Sequence, residues 1–442
     1  MRMKAEKPIL NQLELKLAQV DEDFPEEKQV LADKFWLWVS EQGGTPILEE
    51  HEGEFTATFL YRSREKLDIV LDCLDLRERL IGIDDVLQGF KQIEGTDIYY
   101  LKVDRLPRET CIPYEIEING KSEPDTFNPT QFQLLIYNPG TNCVVFAERK
   151  SSVLNIGSPK QPFWCSNKIP DSNGSISTVF IEGEADGINF GERKCWIYKP
   201  PAFDANRNDP YKVMLVLDGS TYITITPPCL DNYANESMDL SNTIVAFIGN
   251  VNPESVKDRF RQEKKGFEDH RQYEYISHGK AFSKFVVETV LPQLRSPELS
   301  LNLSIDAHDT IVAGFSMAGH CAAEMGLNYS DKIGGIILLS PAMNNRGGTL
   351  IDEYSLADKK ELSIYVSIGK FEDRVPNDPL VIAESRLSVD RRFVETLESK
   401  GYSVHLEELP IGHSELMSIE CMVQGLEHLC KPEDVLKSTY HL

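Results

Sequence analysis

The residues best placed to do chemistry lie in the run Gly314-Phe315-Ser316-Met317-Ala318-Gly319. A short apolar segment, Thr310–Ala313, leads into it, and an Ala- and Met-rich segment with helix-forming character follows. Strand, Gly-x-Ser-x-small residue and helix, in that order, describe a sharp turn that strains the serine backbone and exposes its Oγ. Small residues at 314 and 318 let the flanking strand and helix approach closely. A serine is a weak nucleophile at neutral pH. It needs a base, usually histidine, a carboxylate to orient that base, and two N–H groups to hold the oxyanion that forms on the attacked carbonyl.

Those partners must be delivered by the elements around the serine. From about Ile169 to Leu442 the chain alternates strands and helices. The candidate strands are Lys194–Tyr198, Tyr211–Leu217, Thr243–Ile248, Thr310–Ala313, Gly335–Leu339, Leu362–Ile368 and Ser403–Glu408. Several are unbroken apolar runs, as expected of parallel strands buried on both faces. Helical segments between them include Gly279–Leu294, Gly319–Asn328 and Ser388–Lys400. The alternation predicts a mainly parallel sheet with helices on both sides, and with the serine turn it defines an α/β-hydrolase fold. Before it, residues 1–168 show one helical stretch, Leu31–Ser40, then short runs at Glu54–Tyr61, Leu67–Cys73, Asp97–Val103, Pro113–Ile118 and Gln131–Leu135. Their spacing predicts a small antiparallel β-sandwich. Asp125–Lys168, rich in Pro, Asn, Ser and Gly, reads as an irregular linker. Two domains, 1–168 and 169–442, suit a chain of 442 residues.

The chain order in an α/β-hydrolase is serine, acid, histidine. Four histidines lie far enough beyond Ser316 to follow an intervening acid. His405 lies in a strand pattern, His428 on a C-terminal helix and His441 in the tail, whereas His413 occupies the loop after the last strand. His413 is therefore the expected base. The acid should follow the strand ending near Ile368, and Glu372 and Asp373 both do. Glu372 has the commoner spacing from Gly369, and Asp is the commoner residue type in the role, so both remain candidates. The backbone N–H of Met317 is expected to hold the oxyanion with that of Ser220, from the turn after Val213–Leu217. Arg259 and Arg261, beyond the strand Thr243–Ile248, could meet an anionic part of a substrate, or could simply form a solvated helical face.

Composition narrows the function classes. The net charge of -24 argues against nucleic acid, whose phosphates must be met by Lys and Arg, and against an anionic membrane surface. No apolar signal segment or membrane-length run is visible. The nine cysteines show neither metal nor C-x-x-C spacing, which fits reduced thiols in a cytoplasmic protein. No cofactor or metal site is expected.

Beyond the serine turn, the chain resembles the enterochelin (enterobactin) esterase family over nearly its whole length. Phe35-Trp36, Gly44-Thr45-Pro46, Glu49 and Thr58-Phe59-Leu60-Tyr61-Arg62 match the opening of that family's N-terminal domain. Gly95-Thr96-Asp97-Ile98-Tyr99, Leu106-Pro107, Asp125-Thr126-Phe127-Asn128-Pro129 and Leu215-Val216-Leu217-Asp218-Gly219 match later motifs in the same order. The resemblance implies a cytoplasmic hydrolase that cuts the trilactone esters of imported ferric catecholate siderophores. It also implies that the N-terminal domain forms part of the substrate site. Three segments depart from the family pattern: the GQSFGG turn is Gly314–Gly319 as given above; LSQSGSFWW becomes Leu338-Leu339-Ser340-Pro341-Ala342-Met343-Asn344-Asn345; GGHD…W becomes Ile411-Gly412-His413-Ser414-Glu415. The catalytic residue types are retained and the aromatic lining is altered. Three functions follow: a siderophore esterase; a serine esterase or acyltransferase acting on another ester; and a hydrolase-like binding protein without turnover.

Overall fold

The computed structural model describes residues 9–20, 25–82, 86–138, 143–158, 172–234, 240–251, 270–375 and 384–430. Nine strands form the N-terminal region: β1 (Ile47–His51), β2 (Glu54–Arg62), β3 (Ile69–Asp72), β4 (Lys91–Gln92), β5 (Ile98–Leu106), β6 (Cys111–Ile118), β7 (Lys121–Glu123), β8 (Gln131–Asn138) and β9 (Cys143–Asn155). They make two antiparallel sheets, β1-β2-β5-β4 and β3-β6-β9-β8, with β7 paired to β6. Alternate side chains of a strand point to opposite faces. Ala57 and Phe59 of β2 therefore enter the sandwich core with Leu71, Tyr114 and Ile116, while Leu60 turns outward under the helices Ile9–Leu17 and Pro25–Glu41. The second helix includes the expected Leu31–Ser40 and begins earlier, at Pro25, where a fixed φ and a missing N–H suit a first helical position.

Eight strands form a third sheet: β10 (Ser175–Ala185), β11 (Ile188–Lys199), β12 (Lys212–Val216), β13 (Thr243–Val251), β14 (Thr310–Phe315), β15 (Gly335–Leu339), β16 (Ser363–Gly369) and β17 (Val404–Leu409). Their order is β10-β11-β13-β12-β14-β15-β16-β17. The pairs from β13 to β17 are parallel, and β10 and β11 add an antiparallel edge. All of β14 is buried, as layers on both faces require. Val213 and Leu215 of β12 pack on one face with the helix Met317–Asn328, and Met214 and Val216 pack on the other with the helix Glu415–Cys430. The chain passes from β12 to β13 on one side and returns to β14 on the other. This reversal of strand order opens a crevice at the carboxyl ends of β12 and β14.

Several elements differ from the sequence reading, β9 and β10 among them. The supposed linker from Asp125 to Lys168 contains β8, which takes in the expected run Gln131–Leu135, and also the unexpected long strand β9, which is stitched to β6 and β8. The strand β10 had no sequence counterpart, because only Ile181 and Ala185 along it are buried and an exposed edge strand carries little periodic signal.

Candidate active site

Ser316 stands between β14 and the helix Met317–Asn328 with φ 57° and ψ -121°, a conformation that costs a non-glycine residue on the order of 1–3 kcal/mol. The surroundings hold it there. Its N–H donates to Leu339 at 2.9 Å, and its carbonyl accepts from His320 at 3.0 Å and Ala342 at 3.1 Å. A Cβ at Gly314 would collide with the backbone of Ala318, so glycine at 314 is a steric requirement of the turn.

His413 lies in the loop after β17. Its Nε2 is 2.9 Å from Ser316 Oγ and its Nδ1 is 2.8 Å from Glu372 Oε2. Phe315 stacks on the imidazole, with ring centroids 4.5 Å apart. Glu372 is 1% exposed. Its Oε1 accepts from Ser340 Oγ at 2.6 Å and from the Gly369 N–H at 3.1 Å. Its Oε2 also lies 3.2 Å from Arg386 Nε, and Arg386 Nη1 is 3.4 Å from His413 Nε2. Burial pushes the Glu372 carboxyl up. The hydrogen bond and charge of His413, the Arg386 guanidinium and the Ser340 hydroxyl outweigh it, and the group is held below the usual carboxylate range. It thus stays ionised where it faces the imidazole.

Of the two carboxylates that sequence left open, the structure brings Glu372 to His413 and turns Asp373 away. Asp373 Oδ2 is 3.0 Å from Arg79 Nη2 of the N-terminal domain. Glu372 closes a turn, its N–H donating to the Gly369 carbonyl at 3.1 Å, and Asp373 uses its charge in that ion pair. His405 lies on β17, its ring centroid 4.0 Å from that of His428 with the planes tilted by 31°, and it is not the histidine at the serine.

Met317 and Ser220 sit at the starts of two helices on neighbouring strand ends. Met317 opens the helix after Ser316. Ser220 lies in the short helix Gly219–Tyr222 after β12, which pairs with β14. The first N–H groups of a helix lack intrahelical acceptors, so both backbones suit an oxyanion. Asp218, at φ 53°, shapes the second turn. Its carboxylate takes Arg271 Nη2 at 2.8 Å, Asn250 Nδ2 at 2.9 Å and Tyr275 Oη at 3.1 Å. Arg259 and Arg261 lie outside the described residues.

Sequence reasoning missed Arg386, Ser340 and Asp75. Asp75 is 1% exposed and accepts the Gly412 N–H at 3.1 Å. No local pattern marks these residues, since each reaches the site only through the packing of a distant segment. Among the described residues, no group of three or more His, Cys, Asp and Glu could hold a metal ion, and no helix is long and apolar enough to cross a membrane.

A strained serine turn at the crevice of a mainly parallel sheet, with helices on both faces, defines an α/β-hydrolase fold, here carrying an N-terminal antiparallel sandwich. The chain belongs to the esterase family: the family model described as "Putative esterase" matches residues 190–427, more than half of it, and the protein is an ester hydrolase. No match was found among curated proteins. Among solved structures, the fold is similar to that of the ferric enterobactin esterase from Salmonella typhimurium, at TM-score 0.63 and 16% identity, covering 91% of this chain and 100% of that one. It is also similar to the enterobactin esterase from Shigella flexneri, crystallised in the presence of enterobactin, at TM-score 0.59 and 17% identity, covering 89% of this chain and 97% of that one. At such identity the likeness establishes the shared fold of both domains.

Proposed function

We propose that the protein is a serine esterase working through an acyl-enzyme, and that its substrate is a bulky, multiply ester-linked molecule, a ferric siderophore of the trilactone type. The observation that carries the chemistry is the hydrogen-bonded chain Glu372–His413–Ser316 at the carboxyl edge of the sheet. His413 Nε2 takes the Ser316 proton as Oγ attacks an ester carbonyl. Glu372 holds the imidazole tautomer and stabilises imidazolium without taking the proton. The N–H groups of Met317 and Ser220 hold the oxyanion. Collapse breaks the ester C–O bond, and His413 Nε2 returns the proton to the leaving alkoxide. A water, deprotonated by the same nitrogen, then adds to the acyl carbonyl and frees Ser316.

The siderophore assignment rests on the sequence motifs and on the enterobactin esterases that share the two-domain architecture. Screening over about 8 Å at physiological salt leaves attraction of an anionic substrate to nearby cations. Described cations near the site include Arg271, paired with Asp218, and Arg386, paired with Glu372, with Arg259 and Arg261 as further candidates. One observation favours a different ester. The segment Leu338–Asn345, where the resembled family carries tryptophans, has no aromatic side chain to offer a catechol.

Incubation of the purified protein with a ferric catecholate trilactone and, in parallel, with neutral aryl esters tests the assignment. Opened and monomeric acyl-serine products from the trilactone, seen by mass spectrometry, are expected. Cleavage of aryl esters alone would replace the siderophore reading with the different-ester reading, and no cleavage of either would refute the esterase chemistry.

A further inference from the structure

In the segment Cys73–Leu80 of the N-terminal region, Asp75, Leu76 and Arg79 pack against the two loops that carry Glu372 and His413. Phe371 and Ile411, one and two residues from those side chains, are 0% and 6% exposed and belong to the same apolar cluster as Phe59, Leu71, Leu76 and Tyr114 of the sandwich. Arg79 lies 4.5 Å above the Phe371 ring and pairs with Asp373. The two loops are joined to each other by Phe371 N–H to Ile411 carbonyl at 2.9 Å and Lys370 N–H to Leu409 carbonyl at 2.8 Å. Against this pair Asp75 presents its carboxyl to the Gly412 N–H, one residue before His413. The approach is so close that a Cβ at Gly412 would collide with the Asp75 backbone.

We propose that Asp75 is a positioning residue of the catalytic site: by accepting the Gly412 N–H it fixes the backbone that aims His413 at Ser316, which makes the N-terminal domain a working part of the triad rather than an appended substrate module. The inference rests on the triad assignment of Ser316, His413 and Glu372. Its physical basis is that a loop histidine has no regular ladder to hold it. The Gly412 N–H would otherwise be a buried donor without an acceptor, worth about 1–3 kcal/mol. A misplacement of about 1 Å at a reacting group can cost on the order of 10²-fold in rate. Burial and the nearby charges of Glu372 and Glu415 lift the Asp75 carboxyl to about 7, against the pull of the Gly412 N–H. A neutral amide is therefore a close substitute for it.

The test uses the full chain with Asp75→Ala, Asp75→Asn and Gly412→Ala. kcat and KM are measured on a small aryl ester, with the rate at which a fluorophosphonate labels Ser316 and the melting temperature of each variant. Asp75→Ala should lower kcat and the labelling rate together by about 10- to 100-fold with KM little changed. Asp75→Asn, which keeps the acceptor oxygen, should restore both to within about threefold. If Asp75→Ala does not fold, Gly412→Ala carries the test, since its methyl pushes the loop off Asp75 and should lower kcat with KM little changed. Wild-type kcat in a folded Asp75→Ala or Gly412→Ala variant, or an Asn variant as impaired as the Ala variant, would overturn the proposal. Failure of the triad itself would appear separately, as turnover and labelling that survive Ser316→Ala.

Discussion

The turn that carries Ser316 and the loops that carry Glu372 and His413 are built in opposite ways. The serine turn is assembled mostly from neighbours in sequence, with Leu339 and Ala342 of the adjoining strand end as its distant hydrogen-bond partners. A buried strand, a glycine without room for a Cβ and a helix begun by Met317 force the strained backbone within about ten residues. The Glu372 and His413 loops are held from afar. Arg386 and Ser340 fix the carboxylate, Phe315 stacks on the imidazole, and Asp75, Arg79 and the sandwich core press on both loops from the other domain. A nucleophile's exposure is a local backbone property, whereas the aim of its base and acid depends on tertiary packing. Damage to the sandwich should therefore degrade the base and acid while leaving the serine turn intact.

That contrast can be broken or sharpened by substitution. The largest effect is expected at the serine. Ser316→Ala should reduce kcat by roughly 10³- to 10⁶-fold and abolish fluorophosphonate labelling, with the circular dichroism spectrum unchanged. Retention of more than about a tenth of the rate would remove Ser316 from the mechanism. Next comes Glu372→Gln, expected to cost about 10²- to 10⁴-fold in kcat, because an amide can stabilise the wrong imidazole tautomer. Asp373→Asn should stay within about threefold, and a reversal of that ranking would return the acid role to Asp373.

A smaller effect concerns Arg386. The Glu372 carboxyl is depressed in the folded protein, so its contribution to stability is present above the unfolded carboxylate pKa of about 4.3 and is lost as pH falls through the lower folded value. Arg386→Gln removes one of the groups that depress it. The acid loss of melting temperature that Glu372 contributes should then be smaller, and complete at higher pH, than in wild type, and an unchanged acid limb would show that the guanidinium does not act on Glu372.

A further pH effect has the opposite sign. Asp75 is raised to about 7 in the folded state, against about 3.9 unfolded. Between those values the folded protein keeps a proton that the unfolded chain releases, so stability falls as pH rises from about 4 to about 7. Asp75→Asn should flatten that slope in pH-dependent melting. Glu78, raised by burial to about 7 as well, supplies a remainder. An identical slope in the variant would mean that Asp75 ionises normally.

The amino-acid sequence by itself determined the class of fold, the serine turn, the choice of His413 among the histidines, and the antiparallel character of the first domain. Each is written in short-range pattern: unbroken apolar runs for strands covered on both faces, glycine where a Cβ has no space, and chain order after successive strands. It left Glu372 and Asp373 undivided, because adjacent carboxylates differ only in the side to which the folded backbone turns them, and that side is set by Arg79 and Arg386 from segments distant in sequence. It gave no sign of β10, whose exposed edge is only sparsely apolar, and it took β9 for a linker because turn residues masked a strand that exists through its pairing with β6 and β8. Nor could it disclose Asp75, whose carboxyl gains a role only when two domains close on one loop and leave the Gly412 N–H no other acceptor. Local sterics and hydrophobic period act within a few residues and can be read along the chain. Desolvation, ion pairing and the aim of a loop act through space, and only the packed tertiary structure decides them.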